Sequence, residues 1–309
     1  MIAFLRYIKL AKQKPAIIKR GVKAMFMANL LKKPVLRGAD IAVTYKCQAH
    51  CKKCSTKALI DSSRQEMTLA QITGISREII GLGGILINLT GGEPLLREDI
   101  LDIVESLQRM PALVSLSSNG LPLNEKILKS LRKAGLNVIQ IGLSSPIAEE
   151  HDQELGVPGG FNQAIYSIKE AKRLGIEVLI NAVITQKVLY SKRMEGLAQI
   201  AKENNSFLSL IFPAQVGGWQ GEKVELEQKD YDLLKRKWFK YNFITNDTKT
   251  CYRKKKCPAG TEKIYISPYG DLYPCPFIHY KKGNILESGL QSLWQHMHKD
   301  VFKGCVNIQ

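Results

Sequence analysis

The chain is short of histidine, lacks acid at its start, and has no long apolar run. It holds five histidines in 309 residues, and none has ligand spacing. His296 and His298 stand two apart on an expected helix and do not share a face. No run of eighteen apolar residues occurs, so no transmembrane helix is expected. No secretory signal is recognisable, because the opening apolar runs are too short and lack a small-residue cleavage site. Seven cysteines, an odd number without an export signal, argue against a disulfide framework and for a reducing, cytoplasmic setting. An apolar share of 45% is ordinary for a globular protein, and the length suits one large domain plus a smaller one.

What the chain has in excess is positive charge, net +17, and it is unevenly placed. Residues 1–37 carry ten Lys or Arg, and the first acid is Asp40. Ile2, Phe4, Leu5, Ile8, Leu10, Ile17, Ile18, Val22, Met25, Phe26, Leu30 and Leu31 lie in the same stretch. It reads as a short helix, a break near Pro15 and a second helix: a basic amphipathic arm. Such an arm either packs outside the fold with its lysines outward or meets an anionic membrane surface, which would place the protein peripherally at the inner face of the membrane. No recognition motif accompanies the charge, so nucleic acid is not expected as a partner.

Three cysteines fall in eight residues, Cys47-Gln-Ala-His-Cys51-Lys-Lys-Cys54, and Thr90-Gly91-Gly92-Glu93-Pro94-Leu95-Leu96-Arg97 follows forty residues later. Three close thiolates can hold three corners of a [4Fe–4S] cluster, leaving one iron open to a small chelating molecule. Structural zinc is the alternative, but it usually takes paired C-x2-C knuckles, and here the first gap is three residues with no second knuckle.

The cysteine triad followed by Gly-Gly-Glu-Pro resembles the radical S-adenosylmethionine (SAM) enzymes. The resemblance implies that Cys47, Cys51 and Cys54 ligate the SAM-binding cluster and that SAM takes the open iron. It implies that Gly91 and Gly92 let backbone carbonyls approach the SAM amino group, that Glu93 accepts from that ammonium or orders the loop, and that Pro94 stiffens the turn. Asn119 and Ser144 occupy positions where the family contacts ribose and carboxylate, although Asn-Gly and Ser-Pro are also ordinary turn pairs. One position departs from the family. An aromatic residue often precedes the third cysteine, near the adenine, whereas this chain has Lys53.

From Ile41 the pattern alternates strand and helix. Strands are predicted at 41–45, 85–89, 113–117, 138–143, 178–184 and 207–212, and helices at 68–80, 99–108, 124–134, 162–174, 194–203 and 228–241. Six β-then-α units make a parallel sheet with right-handed crossovers. The fold class is α/β. The resemblance implies a partial (β/α)6 TIM-like barrel over 38–243, behind a basic N-terminal helical arm over 1–37. In barrels of this kind the chemistry sits at the C-terminal ends of the strands, where Cys47, Gly91–Glu93, Asn119 and Ser144 all fall.

The remaining cysteines, Cys251, Cys257, Cys275 and Cys305, surround a hairpin expected at Ile264–Ile266 and Leu272–Tyr273. This part, 244–309, resembles the SPASM and twitch extensions of radical SAM enzymes. Four cysteines suit a single auxiliary [4Fe–4S] cluster. If all four bind it, no thiol is left to return a hydrogen atom, and substrate oxidation is favoured over epimerisation. If the set is incomplete, Cys251 or Cys305 could be such a donor. The run Arg253–Lys256 reads as a solvated loop or as a docking face for a flavodoxin or ferredoxin electron donor. A carbohydrate or other small molecule, a lipid-linked compound and a peptide compete as substrate. Molybdopterin-precursor synthases share the first motif but differ in the later cysteine spacing. A protein that keeps a cluster or zinc without turnover is the reading from another class.

Overall fold

The computed structural model describes residues 14–246 and 257–297. Cys251, Cys305, Arg253–Lys256, His298 and the first helix expected in the arm lie outside the described residues.

Six parallel strands form the frame: β1 Gly38–Thr44, β2 Leu86–Gly91, β3 Leu113–Ser118, β4 Val138–Gly142, β5 Glu177–Val183 and β6 Phe207–Ile211. Each pairs in parallel with the next, in chain order. The expected six β/α units are present, with ends displaced by one to three residues. The first crossover helix, Leu69–Gly81, starts where Thr68 Oγ1 accepts from Gln71 N (3.3 Å) and Gln71 Oε1 from Thr68 N (2.9 Å). This reciprocal cap satisfies amide groups that a helix start leaves unpaired. The expected helix at 228–241 is helical over Gln228–Leu233 and then widens to a π turn over Leu234–Trp238.

The alternating residues of these strands have different fates. Ile41, Ile87, Leu89, Val114, Leu116, Ile139, Ile141, Val178, Ile180, Leu208 and Leu210 are buried in the main core with the crossover helices. Between them each strand carries one polar residue flanked by apolar ones: Asp40, Asn88, Ser115, Gln140, Asn181 and Ser209. The two-residue period of a strand puts that set on the other face, inside the barrel.

The sheet does not stop at six strands. A short β7, Ile244–Thr245, pairs in parallel with β6. On the opposite edge β8, Lys263–Ile266, pairs in parallel with β1, setting Lys263 beside Gly38 and Tyr265 beside Asp40. β9, Asp271–Tyr273, returns antiparallel to β8, and β10, Gly283–Asn284, follows. The C-terminal hairpin therefore continues the barrel sheet. Tyr45, Tyr265, Tyr269 and Tyr273 form a buried cluster across that junction, with 2.8 Å between the hydroxyls of Tyr45 and Tyr265.

Helix α1, Pro15–Asn29, has Pro15 in its first turn. It lies at the other end of the barrel, with Ile17 against Leu113, Ile85 and Leu86 at the starts of β3 and β2.

Candidate active site

The cysteine loop leaves β1 at the C-terminal end of the sheet and is held on three sides by backbone contacts. At the end of β2, Gly92 N donates to Thr44 O (2.9 Å) and Glu93 N to Lys46 O (2.8 Å). A short helix after β4, α2 (Ala148–Leu155), accepts from His50 N through Leu155 O (3.1 Å). The loop after β6 donates from Gly218 N to Cys54 O (3.0 Å). These contacts need glycine. A Cβ on Gly91, at φ +139°, would sit 2.0 Å from Thr44 O, one on Gly92 2.4 Å from Lys46 O, and one on Gly217 2.1 Å from Cys54 O. Gly91 and Gly92 thus admit the backbone leaving β1, a role their sequence position did not reveal.

The three thiols share one neighbourhood. Burial, followed by the charges of Cys54 and Cys47, pushes Cys51 up to about 11. Burial raises Cys47 too, helped by Glu93 and Cys54. Three thiolates crowded together repel one another, and bound iron relieves that because metal coordination deprotonates thiols outright. None of the three is in a disulfide. Among the described residues no three His, Cys, Asp or Glu groups close on a single ion.

Glu93 is fully buried. Its Oε2 accepts from Ser118 Oγ (3.0 Å) and Asn119 N (2.8 Å), and its Oε1 from Leu95 N (3.2 Å), at the turn that Pro94 opens. Burial pushes its carboxyl up to about 7, against those three hydrogen bonds. Of the two roles open to it, the structure shows loop ordering: the carboxylate ties the end of β2 to the end of β3. Asn119 Nδ2 in turn lies 3.7 Å from Cys47 Sγ, while Asn119 Oδ1 accepts from Leu121 N (2.9 Å) and, at 3.4 Å, from Gln48 Nε2. Asn119 therefore combines the turn chemistry with a place beside the thiol.

Ser144 ends β4. Its Oγ lies 3.0 Å from His151 Nδ1, which also accepts from Ser144 N at 3.2 Å. His151 is buried and its Nε2 finds no partner among the described residues. Burial lowers its pKa, so the ring is held neutral. Lys53 pairs with Glu222 (2.6 Å) and lies 5.5 Å from the ring centre of Trp219. The aromatic side chain at this place thus comes from the loop after β6 instead of the cysteine loop. His151 and Trp219 escaped the sequence reading. The signal for Trp219 was a Gly-Gly-Trp in the loop that follows β6.

The polar set inside the barrel forms a directed chain. Asn181 Nδ2 donates to Gln140 Oε1 (3.0 Å), Gln140 Nε2 to Asn88 Oδ1 (3.0 Å), and Asn88 Nδ2 to Asp40 Oδ1 (3.0 Å). Lys263 Nζ closes it on Asp40 Oδ2 at 3.0 Å. This chain walls a cavity of about 310 Å³ that reaches Ser55, Thr56 and Gly91 beside the cysteine loop and Cys257 and Cys275 beyond the hairpin. Phe277 N donates to Cys275 Sγ at 3.4 Å. Cys257 and Cys275 are the two of the four later cysteines that the described residues include.

A parallel barrel with a thiol triad at its mouth, a Gly-Gly-Glu-Pro clasp and a second pair of cysteines across one cavity is the architecture of an iron–sulfur enzyme that works on SAM. The family model of the Radical SAM superfamily matches residues 41–195, half of the chain, and that of the SPASM iron–sulfur cluster-binding domain matches residues 257–304. The chain belongs to the Radical SAM superfamily and carries a SPASM domain, and it is an enzyme whose cofactors are a [4Fe–4S] cluster, SAM and auxiliary iron–sulfur.

The chain is 24% identical over 284 residues to an AdoMet-dependent heme synthase of Methanosarcina barkeri, covering 82% of this chain and 80% of that one. It is 23% identical over 273 residues to a PqqA peptide cyclase of Rhizobium meliloti, covering 82% and 72%. A GTP 3',8-cyclase of Clostridium perfringens is 32% identical over 200 residues, covering 63% and 61%. Among solved structures, SuiB of Streptococcus suis bound to precursor peptide SuiA superposes with a TM-score of 0.71 at 17% identity, over 90% of this chain and 70% of that one.

Proposed function

We propose that the enzyme removes a hydrogen atom from a peptide held in the barrel cavity and completes an oxidation there. The observation that carries this reading is a cavity whose wall includes Ser55 and Thr56, directly after Cys54, together with Cys257 and Cys275. A substrate in it stands between the two sets of iron ligands: Cys47, Cys51 and Cys54, and a second set that includes Cys257 and Cys275 and, outside the described residues, Cys251 and Cys305. When bound, the cluster and SAM supply a 5′-deoxyadenosyl radical, and the auxiliary cluster supplies an electron acceptor.

The chain's own groups supply position. Glu93 fixes the mouth loops, Asn119 stands at the Cys47 sulfur, and Trp219 with the Lys53–Glu222 pair covers the outer side of the cysteine loop. Gly91, Gly92, Pro94, Asn119 and Ser144 belong to the same rim and are the proposed SAM contacts. An electron donor of flavodoxin or ferredoxin type completes the scheme.

The cavity wall argues for the substrate class. Among the described residues its cations are Arg37 and Lys263, and both face carboxylates, Glu262 at 3.8 Å and Asp40 at 3.0 Å. The rest of the polar wall is amide and hydroxyl. Such a surface satisfies the amides of a peptide. The relatives named for peptide cyclisation and peptide binding support this choice.

Incubating the reduced enzyme anaerobically with SAM and a pool of perdeuterated peptides tests it. Deuterium in the 5′-deoxyadenosine is expected. Deuterium arriving only from a nucleotide or sugar would overturn the peptide assignment. The epimerase reading, with Cys251 or Cys305 as hydrogen donor, differs in placing a solvent hydrogen on the product carbon without net oxidation.

A further inference from the structure

Helix α1 has two apolar faces, and the barrel covers only one. Ile17, Ala24 and Ala28 are buried against the barrel's underside and the strand that follows. The attachment is firm. Lys14 Nζ donates to the carbonyls of Gln108 (2.7 Å), Met110 (3.1 Å) and Ala112 (2.8 Å), and Arg20 donates to Ile80 O. A second row is exposed: Ile18 by 37%, Val22 by 54%, Met25 by 40%, Phe26 by 54% and, just past the helix, Leu30 by 67%. Spaced by three and four residues, these side chains form one stripe along the helix. Lys19 and Lys23 are exposed and follow Ile18 and Val22 by one residue, so they stand about 100° further round.

We infer that this stripe docks the enzyme on an anionic phospholipid bilayer. Charge selects the occupant. No acid occurs before Asp40, so the charged residues that the helix itself carries are all cations. A second copy of the chain would press like charges together, whereas an acidic bilayer neutralises them and accepts the apolar row without needing matched polar groups.

The geometry gives the docked orientation. α1 sits at the starts of the strands, and the cysteine loop and cavity mouth sit at their C-terminal ends. The bilayer therefore holds the underside, and the mouth opens away from it towards aqueous substrate. This role is independent of the peptide reading and needs neither SAM nor substrate.

Co-sedimentation of the full chain with vesicles tests the inference, comparing phosphatidylcholine alone with phosphatidylcholine containing phosphatidylglycerol. Binding to the anionic vesicles is expected, falling about tenfold or more in Phe26→Ser/Leu30→Ser, from the apolar area withdrawn. In Lys19→Gln/Lys23→Gln a fall of about tenfold or more is expected from the lost charge. All these side chains are exposed, so the variants keep the fold, which their visible absorbance after reconstitution verifies. Equal binding to neutral vesicles, or no binding to either at low salt, would overturn the inference. So would a chain dimer that Phe26→Ser dissociates, or binding lost on deleting residues 1–13 but kept in the Phe26/Leu30 variant.

Discussion

Gly91 and Glu93 show how little freedom the mouth has. Gly91→Ala must push a methyl into Thr44 O at a backbone angle that L residues avoid, and we expect a loss of about 2 kcal/mol or more. Reconstitution should yield less iron, and SAM binding, followed by equilibrium dialysis, should weaken with it. Glu93 gives a pH signature of known sign. Its carboxyl titrates near 7 in the folded chain, above its ordinary 4.5. Its contribution to stability is therefore present below about pH 4.5 and lost as pH rises through 7, on the order of 3 kcal/mol in all. Thermal unfolding of wild type and Glu93→Gln across pH 4–8 should show this slope in wild type alone; parallel profiles would refute it. The cysteine triad and Gly-Gly-Glu-Pro were legible in the sequence because their chemistry is tied to residue type. The partners of Glu93 were not, since Ser118 and Asn119 lie twenty-five and twenty-six residues away and only the β2–β3 register joins them.

At the scale of elements, the C-terminal hairpin is bound to the barrel by β8 on β1 and by the Asp271–Arg64 ion pair. This carboxylate, at the start of β9, is buried, yet hydrogen bonds from Arg64, Lys281 and Asn284 outweigh burial and hold it below the usual carboxylate range. A depressed carboxyl stabilises above its unfolded value and loses that contribution as pH falls through its folded one. Asp271→Asn should therefore cost about 2 kcal/mol near neutrality and flatten the acid limb of the stability curve, measured by urea unfolding at pH 3–7. The hairpin itself was legible from its Pro-Tyr-Gly turn. Its attachment to β1 was not, because parallel pairing across more than two hundred residues leaves no local pattern. The polar residue in every barrel strand is a different case. The alternation around Asn88, Gln140 and Asn181 stood in the sequence, but only the folded sheet shows that one face lines a cavity. Replacing Gln140 by Leu removes the middle of the amide chain and should leave SAM cleavage intact while lowering its coupling to substrate oxidation. The ratio of product to 5′-deoxyadenosine measures that, and an unchanged ratio would remove the chain from substrate handling.

For the whole molecule, the proposed function puts two iron–sulfur sites beside one cavity, with helix α1 packed at the starts of the barrel strands. Six β/α units, the barrel and the SPASM-type extension were readable from periodicity, motif and resemblance together, because strand–helix alternation fixes the topology. The cavity that unites the two cysteine sets was not readable, since it exists only once β8 closes beside β1. The measurement that bears most directly on this arrangement is iron and acid-labile sulfide after anaerobic reconstitution, in wild type and in Cys47→Ala/Cys51→Ala/Cys54→Ala. The account predicts about eight iron atoms per chain falling to about four in the variant. About four falling to none would contradict it, leaving Cys257 and Cys275 without a cluster and the cavity without its second electron acceptor.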